Sequence, residues 1–225
     1  MIQPIFITGI GTDVGKTVVA AIITEALQAA YWKPVQAGFD QGTDSQWVGS
    51  MISHSQHNIL PEAYKLSLPA SPHIAAREEG VVISLDKITR QLRDWQDAQQ
   101  SDGFLVIEGA GGLLVPLNDK EFILDLAQAL NAPLILVSRN YLGSINHSLL
   151  TATVCKTRGL PVAGWIFNDQ YGHYETEIVQ WSGIPTIASI PLQERPDKAF
   201  IHAQAARIRQ PLLDTLDKTR QLPGT

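Results

Sequence analysis

Three groups of residues have the types and spacing for chemistry. The first is Gly9-Ile-Gly-Thr-Asp-Val-Gly15-Lys16-Thr17, between an apolar run and a helical pattern. Glycines let backbone N–H groups turn inward around a polyphosphate, and the helix start adds its dipole. In such a loop the lysine meets the β- and γ-phosphates, and the threonine hydroxyl ligates Mg²⁺. The spacing departs from the common form, because position 10 is Ile and the nearer glycines are 9 and 11. The second group is Glu108, where Phe104-Leu-Val-Ile107 gives way to Gly109-Ala-Gly-Gly112. A carboxylate at the end of a buried strand suits the metal of a phosphate loop. The third is Asn168-Asp169, at the end of the apolar run Val162–Phe167. An Asn amide pairs with an adenine edge, and Asn-Asp is also a common turn.

These groups must sit on one rim, and the pattern of the chain supplies it. Apolar runs at Ile5–Ile7, Tyr31–Ala37, Phe104–Ile107, Leu113–Leu117, Leu134–Val137, Val162–Phe167 and Thr186–Ile190 read as strands. Helical patterns fall at about Lys16–Ala29, Asp44–His54, Leu85–Trp95, Phe122–Leu130, Ser144–Thr157 and Tyr174–Trp181, with one more at the C-terminus. This alternation predicts an α/β fold: one phosphate-loop domain over 1–225, with a mostly parallel twisted sheet and helices on both faces. Ligands of such sheets collect beyond the carboxyl ends of the strands. Residues 218–225, polar with Pro223 and Gly224, read as a frayed tail.

Composition narrows the function. The 225 residues carry a net charge of −5, which gives no global field for nucleic acid or anionic membrane. Charged residues are 17%, low enough to fit buried strands, an oligomer interface or both. A single cysteine, Cys155, excludes an internal disulfide and a multi-thiolate zinc site; within an apolar helix it reads as an inert thiol. No apolar run is long enough to span a membrane, and the N-terminus lacks the basic region of a signal peptide. A reducing cytosol is therefore expected. His54 and His57 have chelating spacing but no supporting motif, and the five tryptophans are scattered.

The chain resembles the dethiobiotin synthetase family. The resemblance rests on the Gly9–Thr17 loop, Lys33-Pro-Val35, Thr43-Asp44, Ser71-Pro-His73, Glu108–Gly112, Gly143-Ser-Ile-Asn-His147, Gly164-Trp165, Asn168-Asp169 and Ile190-Pro191. It implies ATP-dependent carboxylation and ring closure of 7,8-diaminononanoate, through a carbamate and a carbamic-phosphoric anhydride. By that resemblance Asp13, Val14, Gly15, Lys16, Thr17 and Val18 hold the phosphates of ATP. Thr17, Asp44 and Glu108 hold Mg²⁺, and Gly109, Ala110 and Gly111 border the nucleotide. Asn168, Asp169, Pro191, Leu192 and Gln193 form the adenine pocket. Lys33 and Lys16 are the catalytic cations. Lys33 and Ala37 meet the substrate, while Gly143, Ser144, Ile145 and Asn146 hold its carboxylate across the two-fold axis of a homodimer. A plain helix start at Ser144 describes the same sequence without a ligand.

Two departures stand out. The family places Ser or Thr where this chain has Ala37. The connection between the first helix and the second strand is also short, with no glycine cap before Tyr31. Two other readings share the fold. The ATPase part of a cobalamin-precursor amidotransferase would carry a glutaminase domain. A partitioning or positioning ATPase carries an extra lysine early in the loop, where this chain has Gly9-Ile10. The C-terminal Arg207, Arg209, Lys218 and Arg220 are interleaved with Asp214 and Asp217 and read as a solvated face.

Overall fold

A computed structural model describes residues 1–54, 58–169 and 171–221. Strand β1 (Ile2–Gly9) leads through the glycine loop into helix α1 (Lys16–Leu27). Then follow β2 (Ala30–Trp32), β3 (Val35–Ala37), α2 (Asp44–Met51), β4 (Ile59–Leu60), β5 (Tyr64–Leu66), α3 (Pro72–Glu78) and α4 (Leu85–Asp97). The second half holds β6 (Gly103–Gly112), α5 (Ile123–Ala129), β7 (Leu134–Arg139), α6 (Ser144–Thr157), β8 (Val162–Asn168), α7 (Tyr174–Ser182), β9 (Thr186–Ile190) and α8 (Lys198–Gln221). Seven strands form one sheet in the order β4-β2-β6-β1-β7-β8-β9, and every pair in it is parallel. The expected α/β fold is the one observed.

Period-two alternation divides the core into two layers. Ile5, Ile7 and Tyr31 face α1, α2 and α8. Phe6, Trp32, Trp165 and Phe167 face α4, α5, α6 and α7. Strands buried on both faces explain the low charge content.

Four readings are corrected. Tyr31–Ala37 is two strands, not one: β2 belongs to the large sheet, while β3 pairs with β5 in a separate two-stranded sheet. Pro34 separates them. It has no N–H for a ladder, and its carbonyl instead accepts from Tyr64 N at 3.0 Å. Leu113–Leu117 is not a strand. Val115 N closes a turn on Gly112 O, and an antiparallel bridge joins Pro116 to Phe122 while Leu113 and Leu117 are buried. α2 stops at Met51, before His54. Finally, α8 continues to Gln221, so 218–221 are helical; 222–225 lie outside the described residues, as does His57. The short connection after α1 is closed by Gln28, which adopts the left-handed conformation usually given to glycine (φ 51°). Its side-chain amide donates to Glu25 O at 2.9 Å and helps hold that turn.

Candidate active site

The loop after β1 turns on two left-handed residues, Asp13 (φ 58°) and Gly15 (φ 85°). Asn168, at the end of β8, donates from Nδ2 to Val14 O at 3.1 Å. A side-chain carbon on Gly15 would lie 1.8 Å from that nitrogen, so the loop and the strand tip fit only around a glycine. Lys16 donates to Gly11 O at 2.8 Å, curling over its own loop. Burial, with Lys33 nearby adding repulsion, lowers the Lys16 pKa to about 8, against some raising by Glu108 and Asp44.

The strand register assembles the second half of the site. Tyr31 lies beside Val106 and Trp32 beside Ile107, so the next residue, Lys33, comes level with Glu108. Tyr31, Lys33 and Glu108 share one face of the sheet, the face that α1 covers. Glu108 is 1% exposed. Its Oε1 accepts from Thr17 Oγ1 at 2.9 Å and from Lys33 Nζ at 2.8 Å. Its Oε2 accepts from the Tyr31 hydroxyl at 2.8 Å. Lys33 also donates to Asp44 Oδ2 at 2.5 Å. Burial alone would push the Lys33 ammonium down, but the Glu108 and Asp44 carboxylates outweigh it and hold its pKa above the ordinary value. Asp44 opens α2 behind Thr43, whose hydroxyl accepts from Gln46 N while Gln46 Oε1 accepts from Thr43 N.

The donors around Lys33 fit a hard divalent cation. One hydroxyl and two carboxylates are all oxygen, and a positive group already lies between the carboxylates.

A cleft of about 760 Å³ gathers half of the residues singled out from sequence. Asp13, Gly15, Lys16, Thr17 and Val18 line one side, Lys33, Ala37 and Asp44 another, and Glu108, Ala110 and Gly111 the floor. Val14 turns its side chain into the core, and a side chain on Gly109 would press on Phe6 and Ile123. Asn168 and Asp169 stand at the tip of β8, and Pro191, Leu192 and Gln193 follow β9 beside it, exposed. Neither group lines this cleft, nor do Gly143–Asn146 at the start of α6. There Ser144 is buried and its hydroxyl accepts from Tyr141 N, whereas Asn146 is exposed.

Sequence reasoning missed Tyr31, whose phenol is fully buried beneath Glu108. It also missed Gln36, which accepts from Asp44 N and donates to Gly38 O. Neither gives a local signal, since an aromatic in a strand reads as core. Cys155 is buried, and burial pushes its thiol up to about 12, in keeping with an inert residue. Among the described residues no helix is long and apolar enough to cross a membrane.

A nucleotide loop on a parallel sheet, facing a strand-borne acid, defines a P-loop nucleotide-binding protein. A family model described as an AAA domain matches residues 3–199. The septum site-determining protein MinD of Pyrococcus horikoshii superposes with a TM-score of 0.57 at 17% identity, covering 98% of each chain. A ParA family ATPase from Chlorobium tepidum gives 0.56 at 14%, covering 98% of this chain and 99% of its own. At such identities the likeness concerns the fold alone. The chain belongs to the ATP-dependent dethiobiotin synthetase family: the Cytophaga hutchinsonii enzyme is 46% identical over 90% of this chain and 95% of its own length. The Rhodopseudomonas palustris (strain BisB18) enzyme is 41% identical over 90% and 94%.

The lowered Lys16 pKa gives a pH-dependent expectation. Phosphate oxygens favour the protonated lysine, so they raise its pKa on binding. Below pH 8 the lysine is already charged and affinity for ATP is flat. Above pH 8 binding must take up a proton, and affinity falls by up to about tenfold per pH unit. Titration calorimetry at pH 8.5 to 9 in buffers of different ionisation enthalpy checks this; proton release, or none exchanged, is the contrary result.

Proposed function

We propose that this protein makes dethiobiotin from 7,8-diaminononanoate, CO₂ and ATP, releasing ADP and phosphate, with the whole chain acting as one catalytic domain. The observation that carries the reading is the pairing, in one cleft, of a phosphate loop with a second buried lysine, Lys33, level with Glu108. Nucleotide binding alone does not need that second cation, whereas a reaction that gathers a carbamate and a γ-phosphoryl group does.

One amine of the substrate adds to CO₂ and loses a proton, giving a carbamate. A carbamate oxygen attacks the γ-phosphorus and ADP departs, leaving a carbamic-phosphoric anhydride. The second amine attacks the carbonyl carbon, the C–O bond to phosphate breaks, and the ring closes. The backbone of Asp13–Val18 cradles the phosphates. Lys16 and Lys33 neutralise the oxygens of the carbamate and the transferring group. Thr17, Asp44 and Glu108 hold Mg²⁺, which when bound screens the charge on the phosphate oxygens. Asn168, Asp169 and Pro191–Gln193, on the neighbouring rim, hold the adenine. Mass-spectrometric detection of dethiobiotin from the diamine, bicarbonate and MgATP tests the reading. Dethiobiotin is expected only when all components are present, and its absence from the complete mixture overturns the assignment.

The substrate end of the cleft is formed by Ala37 with Pro69, Ala70 and Ser71. Gln36 is engaged by backbone on both sides, and Ser71 Oγ lies 3.1 Å from His73 Nδ1. Each of these side chains already has a partner within the fold. A neutral hydrogen bond contributes about 0.5–1.5 kcal/mol. Ala37→Ser is therefore expected to lower KM for the diamine a few-fold and leave KM for ATP unchanged. An unchanged or raised diamine KM, with ATP saturating, counts against a missing contact.

The homodimer is part of the proposal. Leu114, Leu142 and Leu150 are large exposed apolar residues, and a second apolar hollow is lined by Ile10, Leu114, His147 and Leu150. A partner copy over that face would carry the Gly143–Asn146 helix start towards the other chain's cleft. Mixing Lys33→Ala chains with Asn146→Ala chains should restore part of the activity, because one composite site is then intact. A fully active monomer in light scattering at assay concentration rules the shared site out. No nucleic acid or membrane is needed by this chemistry, and its soluble reactants suit the cytoplasm.

A further inference from the structure

The buried phenol of Tyr31 has no place in the chemistry described above, yet it touches the central carboxylate of the site. Its hydroxyl donates to Glu108 Oε2 at 2.8 Å and the residue is completely buried. The two oxygens of Glu108 are used differently. Oε1 receives Thr17 and Lys33, the groups on the cleft side, while Oε2 receives Tyr31 from beneath. A carboxylate on a side chain with three rotatable bonds has other orientations open to it. A donor fixed on the adjacent strand removes them. Tyr31 is fixed in this way, because β2 pairs with β6 on one side and β4 on the other.

We propose that Tyr31 is a positioning residue: its hydroxyl pins Oε2 so that Oε1 of Glu108 faces Thr17 and the metal that binds with the nucleotide. The phenol stays a neutral donor throughout, since burial first and the Glu108 charge second raise its pKa well above the ordinary value. It therefore contributes direction rather than a proton. The proposal rests on the assignment of Glu108 to the metal shell.

The test is the gain in ADP affinity that magnesium confers, measured by titration calorimetry with ADP in MgCl₂ and with ADP in EDTA. Tyr31→Phe removes one oxygen and keeps the ring that packs in the core. The expected result is a three- to tenfold smaller gain from magnesium. Affinity for ADP in EDTA and KM for the diamine should each stay within twofold. A role in packing alone would weaken both nucleotide forms equally or only lower Tm; either result, or an unchanged magnesium gain, overturns the proposal. Glu108→Gln separates the two levels of the argument. If it abolishes the magnesium gain while Tyr31→Phe does not, only the role of Tyr31 fails. If it too leaves the gain intact, the metal assignment falls with it.

Discussion

Lys33→Ala is expected to lower the rate of dethiobiotin formation by about a hundredfold or more, since loss of one preorganised charge at a reacting group costs on that order. A second effect should accompany it. Lys33 is the cation between Glu108 and Asp44, and Glu108 has almost no contact with solvent. Removing one partner of a buried ion pair leaves an uncompensated charge, which costs about 3–5 kcal/mol. The metal-free variant should therefore melt well below the wild type, and MgADP should recover part of the loss by returning positive charge to the same place. Turnover and thermal melting with and without MgADP check both parts. A folded Lys33→Ala protein working within tenfold of wild type would remove Lys33 from the chemistry.

Gly15→Ala should be nearly as damaging, by a different route. At φ 85° a non-glycine residue is strained by roughly 1–2 kcal/mol. The new methyl would also overlap Asn168 Nδ2 and break its bond to Val14 O, a loss of about 1 kcal/mol. Together these amount to about 2–3 kcal/mol, or some 30- to 150-fold in affinity if the loop must regain its present shape to bind. ADP titration measures it. Wild-type binding by Gly15→Ala alone would show that the loop has another conformation that serves as well.

The sequence showed the phosphate loop and Glu108 because each lies in a short motif whose neighbours are also informative, whereas Lys33 and Asp44 came only with the family resemblance: by themselves a lysine before a proline reads as exposed and Asp44 as a helix start. Glycines flank the loop and the acid, and Thr43 marks the start of α2. The long elements were legible for a similar reason: α6 and β9 lie where periodicity puts them, at Ser144–Thr157 and Thr186–Ile190. Two- and three-residue strands such as β4 and β5 carry too few residues for any period. The division of β2 from β3 was visible only as Pro34, which permits a strand end or a break. Tyr31 and Gln36 were illegible because their roles come from partners far along the chain or from backbone atoms. The phenol on β2 finds its carboxylate only through the pairing with β6.

That pairing has a consequence for how the molecule is made. In the sheet order, β6 lies between β1 and β2, although both precede it by a long stretch of chain. During synthesis from the N-terminus the glycine loop and Lys33 emerge early, but the strand that joins their supports emerges only with residues 103–112. Until then β1 and β2 have no common neighbour, and the apolar faces of both are open to wrong partners. Closing so long an interval before β1 and β2 can join one ladder makes folding slow relative to a helical protein of the same length. Insertion of β6 would then be the event that joins the two halves of the sheet. The same insertion brings Glu108 between Thr17, Tyr31 and Lys33, so a nascent chain would acquire the strand that joins β1 to β2 and its reactive centre together.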